Sequence, residues 1–264
     1  MKPPIFALLT DFGLEDEYVG LLKAALLSRL PEARIFDLCH AVAPQDVGRA
    51  AFILEHSLPY LPPACHVLAV ADPGVGGNRR LLAARLDERW YFAPDNGLLS
   101  PVLRREPQQI IELRPPDSLL DAASATFHGR DILAPLAARL AAGYSASELG
   151  VEVDGESCLL LPASEPRLED GAIDGAILHA DHFGNLTTNI RREMLPQSAT
   201  ACVLMVGENR ILGICHHYDQ KTPGELLALW DSRGHLEVAV CRGSAARRLQ
   251  SGTGDAARLT WRRD

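Results

Sequence analysis

The chain has 264 residues, of which 47% are hydrophobic, and its formal net charge is -8 at pH 7. This length suits one large domain or two smaller ones with a buried core. The mildly acidic balance argues against binding to a nucleic-acid backbone, and no apolar run approaches the ~18 residues that span a bilayer.

The first half of the chain alternates predicted strands and helices. Its first helix carries apolar residues at helical spacing and is ended by Pro31. This alternation indicates an α/β N-terminal domain over residues 1–161, with a mostly parallel central sheet flanked by helices. The predicted strands cover residues 5–10, 34–38 and 66–71, with a hairpin at 81–86 and 90–93, and the predicted helices cover 16–30, 47–58 and 131–142.

The second half changes in character. Residues 162–171, which read PASEPRLEDG, are polar and contain two prolines, so they form the predicted linker. Short predicted strands and few helical runs follow. They indicate a smaller, all-β C-terminal domain over residues 172–264. These strands cover residues 172–180, 201–206, 209–214, 226–230 and 236–240.

Two aspartates directly follow apolar strands of the first domain, Asp11 in TDFG and Asp72 in DPGVGGNRR. Ligands of open parallel sheets bind beyond the carboxyl ends of the strands, so we expect these carboxylates to lie near one another. Asp11 suits the hydroxyls of a ribose, or a plain helix cap. The glycines after Asp72 allow a ligand close to the backbone, although a tight turn with Arg79 at the surface fits equally well.

His128 in FHGRD precedes a predicted helix, beside a glycine at an element boundary where a side chain can face a cleft. In the second domain, DHFGN contains Phe183, which can stack on a base, and Asn185, which can read an adenine edge. The same residues also suit a hairpin turn. Arg233 in DSRG matches a carboxylate in bidentate geometry, or belongs to a β-turn.

The sequence predicts no metal and no cofactor. His216 and His217 are adjacent, so on a strand they point to opposite sides, and no carboxylate cluster surrounds them. The six cysteines show no CxxC spacing and are expected to be free thiols. The start of the chain does not have the pattern of a signal peptide, so we expect a cytoplasmic protein with neither nucleic-acid nor membrane partners.

In their order, six motifs resemble the SAM hydroxide adenosyltransferase family of adenosine-forming SAM hydrolases, which is related to the bacterial fluorinase and chlorinase. The resemblance runs from about Ile5 to Ala246. It implies hydrolysis of S-adenosyl-L-methionine (SAM) to adenosine and L-methionine, with water or hydroxide attacking the ribose 5′ carbon. The motifs are TDFG, ADPGVGGNRR, APDNGLLS, FHGRD, DHFGNLTTNI and DSRGHLEVAV.

The resemblance also implies roles for individual residues. The catalytic set falls on Asp72, Arg79 and His128. Halogenases of this fold line their halide pocket with small hydroxyl, glycine and aromatic groups where this sequence has Asp72, Val75 and the His128-Gly129 pair. A carboxylate there repels a halide, which argues for water as the nucleophile. The implied substrate contacts are Asp11 with the ribose diol, Phe183 and Tyr218 with the adenine faces, Asn185 and the backbone near Arg242 with the adenine edge, Asp181 with the methionine ammonium, and Ser232 and Arg233 with its carboxylate.

The family further implies a homotrimer with sites between subunits. Three positions depart from the family pattern: Cys241 and Ser244 stand where asparagines are expected, and Gln45 stands where halogenases have a tryptophan. The alternatives are a SAM-dependent halogenase and a non-catalytic adenosine- or SAM-binding protein. A methyltransferase would need a glycine-rich loop after the first strand, which Phe12-Gly13 does not provide.

Overall fold

The computed structural model describes residues 2–263, which divide into two compact units, one ending at Leu161 and the other beginning at Pro162. Within residues 2–263, no helix is both long and apolar enough to cross a membrane. All six cysteines are free thiols, and Cys65, Cys158 and Cys241 are buried.

The first unit contains a seven-stranded sheet with helices on both faces. Its strands are β1 (Ile5–Thr10), β2 (Arg34–Cys39), β3 (Cys65–Val70), β4 (Leu81–Leu86), β5 (Arg89–Pro94), β6 (Gln109–Leu113) and β7 (Gly150–Glu152). Its helices are α1 (Tyr18–Leu27), α2 (Val47–Ser57), α3 (Ser100–Leu103), α4 (Asp117–Leu120), α5 (Ala134–Ala141) and α6 (Ala146–Leu149).

The strand order is β2-β1-β3-β5-β4-β6-β7. Parallel pairing joins β2, β1, β3 and β5, whereas the pairs β5–β4, β4–β6 and β6–β7 are antiparallel. The mostly parallel sheet expected from the sequence is therefore a mixed sheet. The cause is the predicted hairpin, which is confirmed as β4–β5 and reverses the chain direction inside the sheet.

Strand β1 explains why both faces of this sheet are covered. Successive strand residues point to opposite faces, and β1 is apolar in both sets. Phe6 and Leu8 are buried in the core that includes residues of α1 and α5, whereas Ala7 and Leu9 belong to the core that includes residues of α2. Helix α2 begins after Asp46, whose side chain accepts a hydrogen bond from the Arg49 amide.

The strand register brings two loops to one edge of the sheet. Thr10 of β1 lies opposite Val70 of β3, and the Asp11 amide donates to the Val70 carbonyl at 3.2 Å. The loops that begin at Asp11 and Asp72 therefore leave the sheet at the carboxyl ends of neighbouring parallel strands. A π-helical turn, Gly129–Leu133, continues directly into α5.

The second unit consists mainly of antiparallel strands around its own core. They are β8 (Arg167–Glu169), β9 (Ala172–Ala180), β10 (Leu186–Arg191), β11 (Ala199–Val206), β12 (Asn209–Leu212), β13 (Leu226–Trp230), β14 (His235–Val240) and β15 (Ala256–Arg263). Between β14 and β15 lies helix α7 (Ala245–Leu249), so the unit is not made of strands alone. The segment expected to be a linker contains β8, which pairs with β9.

Candidate active site

A bidentate ion pair joins the two ends of the turn that follows β3. Arg79 Nε lies 3.0 Å from Asp72 Oδ1 and 2.9 Å from Oδ2, and Arg79 Nη2 also donates to Oδ2. Both side chains are largely buried, that of Arg79 being 11% exposed and that of Asp72 7% exposed. Because a guanidinium and a carboxylate match as two planar forks, Asp72 fixes the orientation of Arg79.

His128 completes this set from a distant part of the sequence. Its Nδ1 atom lies 2.9 Å from Arg79 Nη1. Arginine nitrogens only donate, so Nδ1 accepts and a neutral imidazole carries its proton on Nε2. Burial, and then the charge of Arg79, lower the pKa of His128 from its ordinary value, against the opposing effect of Asp72 and Asp131. The site therefore combines a fixed cation with a neutral imidazole donor.

Glycine allows the turn after Asp72 to pass close to the His128 segment. Gly76 has φ +79°, and a Cβ atom there would lie 2.5 Å from the Ala125 carbonyl oxygen. A larger residue would have to move one of the two backbones. The rings of Phe12 and Phe127 meet edge to face with centroids 5.4 Å apart, which ties the Asp11 loop to the same region.

Asp11 lies at the end of β1 and is held by the segment that precedes α2. Its Oδ2 accepts from the Gln45 amide at 2.8 Å, and Gln45 adopts a left-handed conformation with φ 67°. The backbone of Gln45 thus orients the carboxylate. The hydroxyl of Thr10 contacts His40 Nδ1 at 2.8 Å and accepts from the Phe12 amide, which orders the loop around Asp11.

In the second unit, Asp181 organises the turn between β9 and β10. Its Oδ1 accepts from the amides of Phe183 and Asn185 at 2.9 and 2.8 Å, and its Oδ2 accepts from Asn185 Nδ2 at 3.2 Å. Asn185 is buried, whereas Phe183 is 73% exposed. The segment DHFGN is thus a hairpin turn that also carries an exposed aromatic residue. A Cβ atom on Gly184 would lie 2.0 Å from Ser244 Oγ, so a glycine is required there.

Asp231 organises the turn between β13 and β14 in the same way. Its Oδ1 accepts from the amides of Arg233 and His235, and its Oδ2 accepts from Arg233 Nε at 2.9 Å. Burial opposes ionisation of Asp231, but these backbone donors and Arg233 outweigh it, so the pKa lies below the ordinary value. Arg233 Nη2 also donates to Thr187 Oγ1 at 3.2 Å, and Ser232 is exposed in the turn.

Tyr218 lies beside a carboxylate that the sequence reasoning missed. Its hydroxyl donates to Glu237 Oε1 at 2.8 Å, and the Glu237 side chain is buried in β14. Burial raises the pKa of Glu237, and the charges of Asp181 and Asp231 add to the effect. Burial followed by Glu237 raises the pKa of Tyr218 as well. A charged residue inside the apolar run LEVAV was the signal that could have identified Glu237.

The remaining predicted contacts lie after β14. Arg242 is exposed and has φ 55°, so its backbone is held in a left-handed conformation. Cys241 is buried, and the Ser244 hydroxyl caps α7 by accepting from the Arg247 amide at 3.2 Å. Over residues 2–263, no group of three or more His, Cys, Asp or Glu side chains is arranged to hold a metal ion.

A buried arginine–carboxylate pair with a neutral imidazole, at the edge of an α/β sheet where ligands bind, is typical of an enzyme. The sequence profile of the SAM hydroxide adenosyltransferase N-terminal domain matches residues 6–150, and that of the C-terminal domain matches residues 175–258. This chain belongs to the SAM hydroxide adenosyltransferase family.

Individual relatives agree with this assignment. A Thermus thermophilus protein named (R)-S-adenosyl-L-methionine hydrolase is 42% identical over 258 residues, covering 94% of this chain and 96% of the relative. A Nocardia brasiliensis protein named fluorinase is 30% identical over 72% of each chain. The crystal structure of an uncharacterized conserved protein from Thermotoga maritima superposes with a TM-score of 0.88 at 32% identity, over 97% of this chain and 99% of the other.

Proposed function

We propose that this protein hydrolyses SAM to adenosine and L-methionine. The observation that carries the proposal is the hydrogen-bonded set Asp72–Arg79–His128 at the carboxyl edge of the sheet, in a chain that is 42% identical to a SAM hydrolase. Attack of water on the ribose carbon requires two groups that donate hydrogen bonds to the water oxygen, beside a site for the ribose.

The reaction balances without a general acid. The water oxygen forms a bond to the ribose 5′ carbon as the bond from that carbon to sulfur breaks. The bonding pair goes to the positively charged sulfonium, which leaves as the neutral thioether of methionine. The surplus proton of the attacking water passes to solvent. The protein must therefore improve the nucleophile and align it with the carbon–sulfur bond.

Each member of the set has a distinct role in this proposal. Arg79 provides a fixed positive charge that favours the hydroxide character of the attacking oxygen. His128 donates from Nε2 to the same oxygen, because its Nδ1 is already an acceptor for Arg79. Asp72 holds the guanidinium in place and compensates its charge while the proton leaves.

The proposed substrate contacts divide between the two units. In the first unit, Asp11 would accept hydrogen bonds from the ribose diol at the strand end. In the second unit, the exposed ring of Phe183 and that of Tyr218 would stack on adenine, and the charged groups would bind the amino-acid end. These further contacts are Asn185 and the Arg242 backbone with the adenine edge, Asp181 with the ammonium, and Ser232 and Arg233 with the carboxylate.

A halogenase is the second candidate, favoured only by the more distant similarity to fluorinases. A desolvated halide needs a pocket with uncompensated donors. Here Asp72 occupies Arg79 through Nε and Nη2, and its negative charge opposes an anion. A non-catalytic SAM-binding protein would give no reason to keep this set buried and bonded.

One experiment separates these functions. SAM is incubated with the protein in water enriched in ¹⁸O, with and without chloride or fluoride. The products are separated by chromatography, and their masses are measured by mass spectrometry. We expect methionine and adenosine with the label in the 5′ hydroxyl. Halogenated adenosine would indicate a halogenase, S-adenosylhomocysteine a methyltransferase, and intact SAM a binding protein.

We also propose that the protein works as a cytoplasmic homotrimer with sites between subunits. Large apolar side chains are exposed in each unit, Leu14 and Tyr18 in the first and Phe183 in the second, and they support an assembly that covers them. Free thiols support a reducing compartment. Light scattering after size-exclusion chromatography tests the trimer, and a monomer with full activity would contradict it.

A further inference from the structure

The motif APDNGLLS has no role in the proposed chemistry, yet it lies beside the turn that carries Asp72 and Arg79. Strand β5, which ends at Pro94, is the neighbour of both β3 and β4. The chain leaves β3 before Asp72 and enters β4 after Arg80, so the turn crosses over the end of β5. Asp95 and Asn96 therefore follow β5 between the two ends of that turn.

Asn96 holds the first end of the turn. Its Nδ2 donates to the carbonyl of Ala71 at 2.8 Å, and Ala71 directly precedes Asp72. The orientation of the Asn96 amide is fixed in turn, since its Oδ1 accepts from the Leu98 amide at 3.1 Å. The donor thus reaches the backbone of the residue next to the carboxylate.

Asp95 holds the second end. Its amide donates to the carbonyl of Arg80 at 2.9 Å, and its Oδ2 accepts from Arg80 Nε and Nη2 at 2.9 and 2.6 Å. Its Oδ1 accepts from the Leu159 amide at 2.9 Å, so the carboxylate itself is anchored. Arg80 directly follows Arg79, and the Asp95 side chain is 5% exposed.

The middle of the turn provides little support of its own. Residues 73–78 are exposed. Their backbone hydrogen bonds are short-range: the Val75 amide donates to the Asp72 carbonyl, and the Gly77 amide donates to the Gly74 carbonyl. The positions of Asp72 and Arg79 consequently depend on the two ends. A displacement of about 1 Å at a reacting group costs on the order of 100-fold in rate.

We propose that Asn96 and Asp95 are positioning residues for the hydrolytic reaction, which set the separation of Asp72 and Arg79 and so the contact of Arg79 with His128. This proposal rests on the proposed function. Neither residue needs to touch SAM, because each acts through the backbone or side chain that adjoins a member of the catalytic set.

The test compares Asn96→Ala and Asn96→Asp with the wild type, measuring kcat, KM and the pH profile of kcat. Asn96→Asp keeps the acceptor for the Leu98 amide but replaces the donor to Ala71 with an acceptor and adds a negative charge, whereas Asn96→Ala removes the donor without adding charge. We expect kcat to fall by roughly 10- to 100-fold in both variants, with KM for SAM within about twofold. The groups around His128 are Arg79, Asp72 and Asp131, so a loosened Arg79 moves the acid limb of kcat to higher pH.

Ser100→Ala is the matched control. Ser100 is buried four residues further on, and its hydroxyl donates to the Gly97 carbonyl and accepts from the Leu161 amide. This variant should lose stability but keep kcat and the pH profile. If Asn96→Ala does not fold, Asn96→Asp and Asp95→Asn decide the matter.

The outcomes are distinguishable from failure of the proposed function. A wild type that releases no adenosine from SAM would contradict the hydrolase itself. An active wild type, with folded Asn96→Asp and Asp95→Asn variants that match Ser100→Ala in kcat and in pH profile, would overturn the positioning role.

Discussion

Arg79 donates to His128 across 2.9 Å, although 49 positions separate the two residues in the sequence. This contact settles which nitrogen of the imidazole accepts, because a guanidinium has no lone pair to offer. It leaves the Nε2 proton for a ligand. In the proposed reaction His128 therefore orients the attacking oxygen and does not remove its proton through Nε2.

The first prediction concerns pH. Burial and Arg79 lower the pKa of His128, so the imidazole stays neutral at a pH where a free histidine is half protonated. Protonation of Nδ1 would break the bond from Arg79, so kcat should fall at low pH with a midpoint below 6.5, the ordinary pKa of histidine. His128→Asn keeps an acceptor near Nδ1 but has no donor at Nε2. We expect it to lose about 100- to 1,000-fold in kcat and to lose the acid limb. An acid limb that persists unchanged in His128→Asn would assign the titration to another group.

The second prediction concerns Asp72. In Asp72→Ala the guanidinium of Arg79 loses its bidentate partner, so its contact with His128 is no longer fixed. We expect kcat to fall by roughly 10²–10⁴-fold while KM for SAM changes little, because Asp72 is not among the proposed SAM contacts. Steady-state kinetics with detection of adenosine measures both constants. Asp174→Asn, which removes one partner of the exposed Arg258 ion pair, is the control. Unchanged turnover in Asp72→Ala would remove Asp72 from the mechanism.

The alternating first half of the fold was predictable because its strands are buried on both faces and its helices carry apolar residues at helical spacing. Three strands of the second unit were missed, and the shortest, β8, lies in the segment expected to be a linker. Strand β10 contains the buried polar residues Thr187, Thr188 and Asn189. Their hydrogen bonds are tertiary: Thr188 Oγ1 donates to Leu236, and Asn189 Oδ1 accepts from Ala176. In strand β15 the buried residues Ala257, Leu259 and Trp261 alternate with polar ones, so no apolar run marks it.

The candidate site was predictable to a different degree at each residue. The placement of Asp11 and Asp72 at one edge follows from parallel strands alone. The link from Arg79 to His128 depends on how the segment before α5 packs against Val70 and Phe12, which no spacing in the sequence encodes. Glu237 stands out as a charged residue in the apolar run LEVAV, but its pairing with Tyr218, 19 positions away, depends on the fold.

The third prediction separates the two ends of the substrate. Arg233→Lys removes the fork that Asp231 orients and that would bind the SAM carboxylate. KM for SAM should rise by about tenfold or more, whereas inhibition by adenosine, which has no carboxylate, should be unchanged. Phe183→Leu should weaken both SAM and adenosine, because stacking on adenine is common to them. Inhibition constants for adenosine in the two variants provide the measurement. Equal effects of Arg233→Lys on SAM and adenosine would contradict the assignment of Arg233.

The last prediction concerns the buried carboxyl of Glu237, whose pKa is raised above its ordinary value of 4.5, mainly by burial. Folding thus favours the protonated form, and the stability linked to it is full below pH 4.5 and is lost as pH rises through the folded-state pKa. Glu237→Gln is always neutral and keeps an acceptor for the Tyr218 hydroxyl. At pH 8 its melting temperature should exceed that of the wild type by about 2–4 °C for each kcal/mol gained in the free energy of unfolding. The difference should shrink towards pH 4. Thermal unfolding across this range tests it, with the more exposed Glu169→Gln as control. A Glu237→Gln variant that is less stable than the wild type at pH 8 would show that the ionised carboxylate has a compensating partner.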